Sequence, residues 1–144
     1  MADVTESSIA IPASPDRVMA VIADFEAYPD WNDEVKQVEV LSVYEDSERP
    51  AEVRFLLDAG AIKDDYVLEY DWVGDDELRW HLVKGEMLRA MDGAYVLTPV
   101  PGGTEVSYRL SVDVRIPMIG MIKRKAEKVI IDRALKGLKE RVEH

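Results

Sequence analysis

Residues 24–35, DFEAYPDWNDEV, hold five carboxylates together with Tyr28, Trp31 and a proline. Acids at this density are the raw material of proton transfer, and rings are the raw material of ligand stacking. Local chemistry gives the stretch a different role. Phe25 closes an apolar stripe that runs Val18, Val21, Ile22, Phe25 at helical spacing. Pro29 biases Tyr28 away from helical geometry, and Asp30, Asn32 and Asp33 are turn formers. The stretch is therefore expected to be a joint between helix and sheet, with its acids facing water and doing no chemistry. Trp31 is expected at the edge of any site the sheet encloses.

Other reactive constellations are sparse. The chain has no cysteine and two histidines, His81 and His144. A thiol nucleophile is absent, a Ser–His arrangement has few possible bases, and a zinc site is not expected. Gly102–Gly103 is a turn pair without a phosphate-loop pattern. What remains is acid–base chemistry by tyrosine, arginine or carboxylate, and its geometry depends on the elements that hold those residues.

The period of the hydrophobic pattern defines these elements. VTESSIAIP alternates as a half-buried strand does. SPDRVMAVIADF has a capping serine at Ser14, a proline at the first helical position and Asp16 where the helix dipole favours an anion. From Val35 the period is two, through VKQVEVLSVY, AEVRFLLD, DYVLEYDWV, LRWHLV, MLRAMDGAYVLTP and TEVSYRLSVDVRI. The short separators between these strands imply antiparallel hairpins. Residues 118–144 carry Ile119, Ile122, Ala126, Ile130, Ala134 and Leu138 at three- and four-residue spacing, the mark of a long amphipathic helix. The order strand, helix, six strands, long helix is that of a single α+β domain over residues 1–144.

Hairpin geometry then places side chains. With a turn at PVPGG, Tyr95 lies opposite Tyr108 and Leu97 opposite Val106, and their face continues to Met91, Arg89, Leu110 and Val112. Extending the register puts Trp80 near Met91 and Tyr70 near Trp80, with Tyr66, Leu68, Phe55 and Leu57 on the same face. A slip of one residue inverts a strand. His81 and Asp92 fall on the opposite, solvated face. The expected binding set is Phe55, Tyr66, Leu68, Tyr70, Trp80, Arg89, Met91, Tyr95, Tyr108 and Leu110, met from the helix side by Met118, Ile122 and Ile130. So many phenol hydroxyls on one face need partners, which a pocket with water or a polar-headed ligand supplies. Burying about ten methylene equivalents gains about 8 kcal/mol, and association costs about 4–15 kcal/mol, so tight binding needs polar anchoring or a larger ligand.

The segments IPASPDRVMAVIADFEAYPDWNDEV and GGTEVSYRL…IPMIG, the second ahead of a long final helix, give the chain a family look. In this order it resembles the START-like (SRPBCC) superfamily, in the branch of polyketide cyclase/dehydrase and coenzyme Q-binding proteins. The resemblance covers essentially the whole chain. It implies a helix-grip fold, a seven-stranded curved antiparallel sheet wrapped around the C-terminal helix with an apolar cavity between. It also implies binding or transfer of a hydrophobic small molecule such as a lipid, quinone or polyketide, with no cofactor. An enzyme of the cyclase kind would draw on Arg89 with Tyr66 or Tyr95 to polarise a ketone and hold an enolate. A partner module without catalysis is a further alternative.

Net charge is −11, unevenly spread. Residues 1–114 hold 9 basic and 25 acidic side chains, and residues 115–144 hold 9 basic and 4 acidic, which gives −16 and +5. An acidic body disfavours nucleic acid, where phosphate neutralisation dominates affinity. In IPMIGMIKRKAEK an apolar loop precedes Lys123, Arg124, Lys125 and Lys128. It is expected either to close the cavity mouth or to touch an anionic membrane or partner through residues 118–128. The cysteine count, the absence of a basic, apolar leader and the absence of a long apolar run make a cytoplasmic location the expectation.

Overall fold

A computed structural model describes residues 4–60, 62–116 and 119–143. Strand β1 (Thr5–Ile11) leads into helix α1 (Pro15–Ala23), a 3₁₀ turn (Phe25–Ala27) and the one-turn helix α2 (Tyr28–Trp31). Strands β2 (Val35–Val43), β3 (Pro50–Asp58), β4 (Lys63–Val73), β5 (Glu77–Gly85), β6 (Leu88–Val100) and β7 (Gly103–Val114) follow, and then helix α3 (Gly120–Glu143). All pairings are antiparallel, in one sheet of order β1-β7-β6-β5-β4-β3-β2. Consecutive hairpins build β2 to β7, and β1 returns to the far edge beside β7. This open, curved sheet gripping a long C-terminal helix is the helix-grip fold.

Local signals act where they were expected. Ser14 Oγ accepts a hydrogen bond from the Arg17 N–H at 3.4 Å, and Pro15 opens α1. Val18, Ile22 and Phe25 are buried. At the β6–β7 hairpin Val100 pairs with Gly103, so the turn is Pro101–Gly102, and Gly102 sits at φ +85°, a conformation that favours glycine. One local expectation fails at Tyr28, which is helical at φ −52° and ψ −42°. Pro29 lies in the first turn of α2, where no N–H partner is needed. The Tyr28 hydroxyl also donates to the Ile22 carbonyl at 2.5 Å, tying the turn back to α1.

The apolar stripe of α3 begins later than its periodicity suggests. Ala126, Ile130, Ile131, Ala134, Leu135, Leu138 and Val142 are buried, whereas Ile119 and Ile122 are exposed. Glu127 marks where the helix meets the sheet. Its Oε1 accepts from Thr5 Oγ1 at 2.7 Å and its Oε2 from the Val112 N–H at 2.8 Å. Thr5 opposite Leu110 is the last β1–β7 pair, so the carboxylate takes up a β7 donor beyond the end of β1.

Candidate functional site

Between the inner sheet face, α3 and the α2–β2 joint lies a cavity of about 50 Å³. Its walls are Phe55 and Leu57 from β3, Tyr66, Leu68 and Tyr70 from β4, Trp80 from β5, Met91 and Tyr95 from β6, and Tyr108 from β7. Ile130 and Ala134 face it from α3, and Tyr28, Asn32, Glu34 and Val35 close it from the joint. The rings form a continuous set. Tyr70 lies 5.8 Å from Trp80, Trp80 is 5.5 Å from Tyr95 and 5.4 Å from Tyr108, and Tyr95 and Tyr108 meet edge-on at 4.7 Å. Phe55 stacks on Tyr66 at 5.5 Å. Gly93 makes room for this set, because a methyl group there would overlap the Trp80 indole. A larger hollow of about 500 Å³ lies on the outer sheet face. It is an open surface lined by charged side chains such as Asp71, Arg79, Asp92 and Arg109.

The hydroxyls distinguish the cavity from a filled core. Those of Tyr66, Tyr70, Tyr95 and Tyr108 have no protein partner among the described residues. They are not sealed in packing either, since Trp31 Nε1 is the sole fully enclosed side-chain polar atom left unpaired among those residues. All four hydroxyls therefore border open space. Burial pushes each phenol above its ordinary pKa, and neighbouring phenols push Tyr66, Tyr70 and Tyr95 further in the same direction. They remain neutral hydrogen-bond donors at physiological pH.

Glu34 is the one charged side chain on the cavity wall, and it is 4 % exposed. Its Oε1 accepts from Arg133 Nη1 on α3, and the Arg133 side chain is largely exposed. Its backbone N–H donates to Asn32 Oδ1 at 3.1 Å, and its carbonyl accepts from the Asp58 N–H at 2.8 Å. Gly137 lets α3 approach this joint, because a methyl there would strike the Trp31 carbonyl. Among the described residues no group of three or more His, Asp or Glu side chains is placed to hold a metal ion.

The structure brings together Phe55, Tyr66, Leu68, Tyr70, Trp80, Met91, Tyr95, Tyr108 and Ile130 as expected. Tyr95 pairs with Tyr108, Leu97 with Val106 and Tyr70 with Trp80. Trp80 pairs with Gly93 rather than lying beside Met91, a register change that leaves its face unaltered. Arg89 is a correction. A bulge between Leu88 and Ala90 inserts Arg89 as an extra residue, and it projects from the outer face. There it donates from Nε to Asp113 Oδ2 at 3.0 Å. Leu110 is buried in the core without lining the cavity, Ile122 is exposed, and Met118 lies outside the described residues. His81 is on the outer face, 3.3 Å from Glu69, as expected.

The joint also departs from its expected character. Tyr28, rather than Trp31, contributes the ring on the wall, and Glu34 is buried where all five acids were expected in water. Sequence reasoning missed Tyr28, Asn32, Glu34, Val35, Leu57 and Ala134 as lining residues. Leu57 and Ala134 carried a signal, since Leu57 shares the inner face with Phe55 and Ala134 shares the α3 stripe with Ile130. The other four are placed by tertiary contact alone.

The family model for "Polyketide cyclase / dehydrase and lipid transport" matches residues 1–143. The chain belongs to that family. Solved structures share the fold along nearly the whole chain. A START superfamily protein from Mycobacterium smegmatis superposes with a TM-score of 0.90 at 24% identity, over 97% of each chain. A protein from Thermus thermophilus superposes with a TM-score of 0.81 at 28% identity, again over 97% of each. The ZhuI aromatase/cyclase from a Streptomyces species shares the fold with a TM-score of 0.80 at 15% identity, over 99% of this chain and 94% of that one. No curated protein matches the sequence. Family and fold together support a hydrophobic-ligand-binding scaffold.

Proposed function

We propose that this polyketide cyclase/dehydrase family protein binds a small hydrophobic molecule bearing acceptor oxygens, of the quinone or polyketide kind, between sheet and α3. The observation that carries this reading is the convergence of four unpartnered, protonated tyrosine hydroxyls on one aromatic cavity. Aromatic walls accept a flat apolar body, and neutral phenols donate to its carbonyl oxygens. A space of about 50 Å³ holds a few waters, so binding must widen it. We place that widening at the α2–β2 joint, which the Glu34–Arg133 ion pair ties to α3.

Native mass spectrometry of freshly purified protein, with extraction of any co-purified molecule, tests the reading directly. Quenching of tryptophan fluorescence by a naphthoquinone probe is the in vitro counterpart, since Trp80 lines the cavity. Tyr95→Phe and Tyr108→Phe are expected to weaken probe binding by about five-fold each, the worth of one hydrogen bond. A protein that purifies empty and shows no saturable quenching would overturn the proposal.

One observation favours a second reading, catalysis of the cyclase kind. Proton donors and a carboxylate line the same cavity, so a tyrosine can polarise a ketone while Glu34 takes a proton. Arg89 has no part in it. Turnover of a polyketone substrate that disappears in Glu34→Gln, with binding retained, would establish this reading. Tight binding without turnover leaves binding as the function.

A further inference from the structure

The start of α3 combines exposed apolar side chains with a run of cations. Ile116, Ile119, Met121 and Ile122 are 63%, 65%, 72% and 48% exposed, large apolar side chains close together along the chain at the start of α3. Single exposed apolar residues are ordinary, whereas a cluster of this kind marks an interaction site. The surrounding side chains are cations: Arg115, Lys123, Arg124, Lys125 and Lys128. The one acid among the described residues from 115 to 128 is Glu127, which is 1% exposed and turned into the core by its bonds to Thr5 and Val112. Of the nearby carboxylates, Asp132 pairs with Lys128, and Asp113 pairs with Arg89 and also feels the Lys123 charge. The rest of the chain up to residue 114 carries −16.

We infer that this segment docks on an anionic lipid bilayer, with Ile116, Ile119, Met121 and Ile122 entering the interface and the cations resting on the head groups. The charge division selects an anionic surface and gives a single orientation, since a negative surface attracts the α3 start and repels the acidic body. Exposed apolar side chains set among those cations are what a lipid interface takes up. No described helix is long and apolar enough to span a membrane, so the contact is peripheral. Each cation near an anionic surface contributes about a five-fold factor in partitioning, and salt screens it.

Co-sedimentation with vesicles tests this, comparing phosphatidylcholine alone with phosphatidylcholine containing phosphatidylserine. Wild-type protein is expected to partition onto the anionic vesicles, to be released by salt and to stay in solution with neutral ones. Replacing Met121 and Ile122 together by serine is expected to cost at least about ten-fold in partitioning. Lys123→Glu with Lys125→Glu is expected to abolish it. Both pairs are at the surface, and unchanged thermal melts and unchanged naphthoquinone quenching will show that fold and cavity are intact. Equal partitioning onto both vesicle types, or none onto either, overturns the inference. So does a wild-type dimer in solution that the serine pair converts to monomer, which would assign the patch to a second copy. The quenching arm keeps this result separate from the fate of the ligand proposal.

Discussion

On the outer face of the sheet, polar side chains have both partners and water. Arg89 reaches Asp113 at 3.0 Å, Arg54 reaches Asp65 at 2.5 Å, and His81 lies 3.3 Å from Glu69, all with substantial exposure. One pleat away, on the inner face of the same sheet, four tyrosine hydroxyls have no partner among the described residues and little exposure. The outer pairs are screened and contribute little to stability. The inner hydroxyls stand where a filled apolar core would hold phenylalanine, which lines the same space with no polar group to satisfy. This contrast points to where function lies. Ion pairs on the wet face are explained by solubility and register, whereas the phenols are explained by something that enters the cavity.

The two faces should part most visibly in alkali. Five phenols, those of Tyr28, Tyr66, Tyr70, Tyr95 and Tyr108, have pKa values raised above the ordinary value of 10.0, with burial as the first cause. A raised folded pKa means stability that is whole below the unfolded pKa and is lost as pH rises through the interval up to the folded value. Each phenol removes up to about 1.4 kcal/mol per pH unit above that unfolded value, so the five together are enough to unfold the domain. Tyrosinate absorbance and loss of circular dichroism are expected to rise together above about pH 10. Tyrosinate that appears while the fold persists would show that the inner face is wetter than the structure describes.

A smaller effect tests the shape of the inner face. Gly93→Ala is expected to cost about 2–3 kcal/mol in chemical denaturation, because the new methyl displaces the Trp80 indole from the aromatic set. Tryptophan fluorescence should shift with it. An unchanged protein would mean that Trp80 has room to move, and hence that the cavity is larger in solution.

The least effect belongs to the outer face. Arg89→Ala is expected to change stability by under about 0.5 kcal/mol and to leave probe binding intact. Arg89 holds the Asp113 carboxyl below its usual range through a hydrogen bond. That contribution is present above the unfolded pKa and is lost as pH falls through the folded one, so any effect of the variant should fade in acid. Loss of probe binding in Arg89→Ala would return this arginine to the cavity and undo the contrast between faces.

Much of this architecture was legible beforehand, because the interactions that specify it are local. Alternation placed Tyr66, Tyr70, Tyr95 and Tyr108 on one face, and a proline–glycine turn set the Tyr95–Tyr108 pair. Trp80 tolerated a change of partner because the strand period is two. Arg89 did not, since one inserted residue at the Leu88–Ala90 bulge moves a side chain to the other face. Nothing in the composition around position 89 announces that bulge. Ile122 fell on a well-formed helical stripe, but a stripe states only that a face is apolar, and the sheet covers that face from Ala126 onward.

Residues 24–35 draw the boundary most clearly. Local sequence was enough to make them a joint, through the end of the α1 stripe, a proline and a run of turn formers. Closing a cavity with Tyr28, Asn32 and Glu34 took packing between distant segments. Separation along the chain accounts for the difference. A carboxylate is stable out of water only beside its partner, and the partner of Glu34 is Arg133, 99 residues away on a helix that packs here because Gly137 lets it approach.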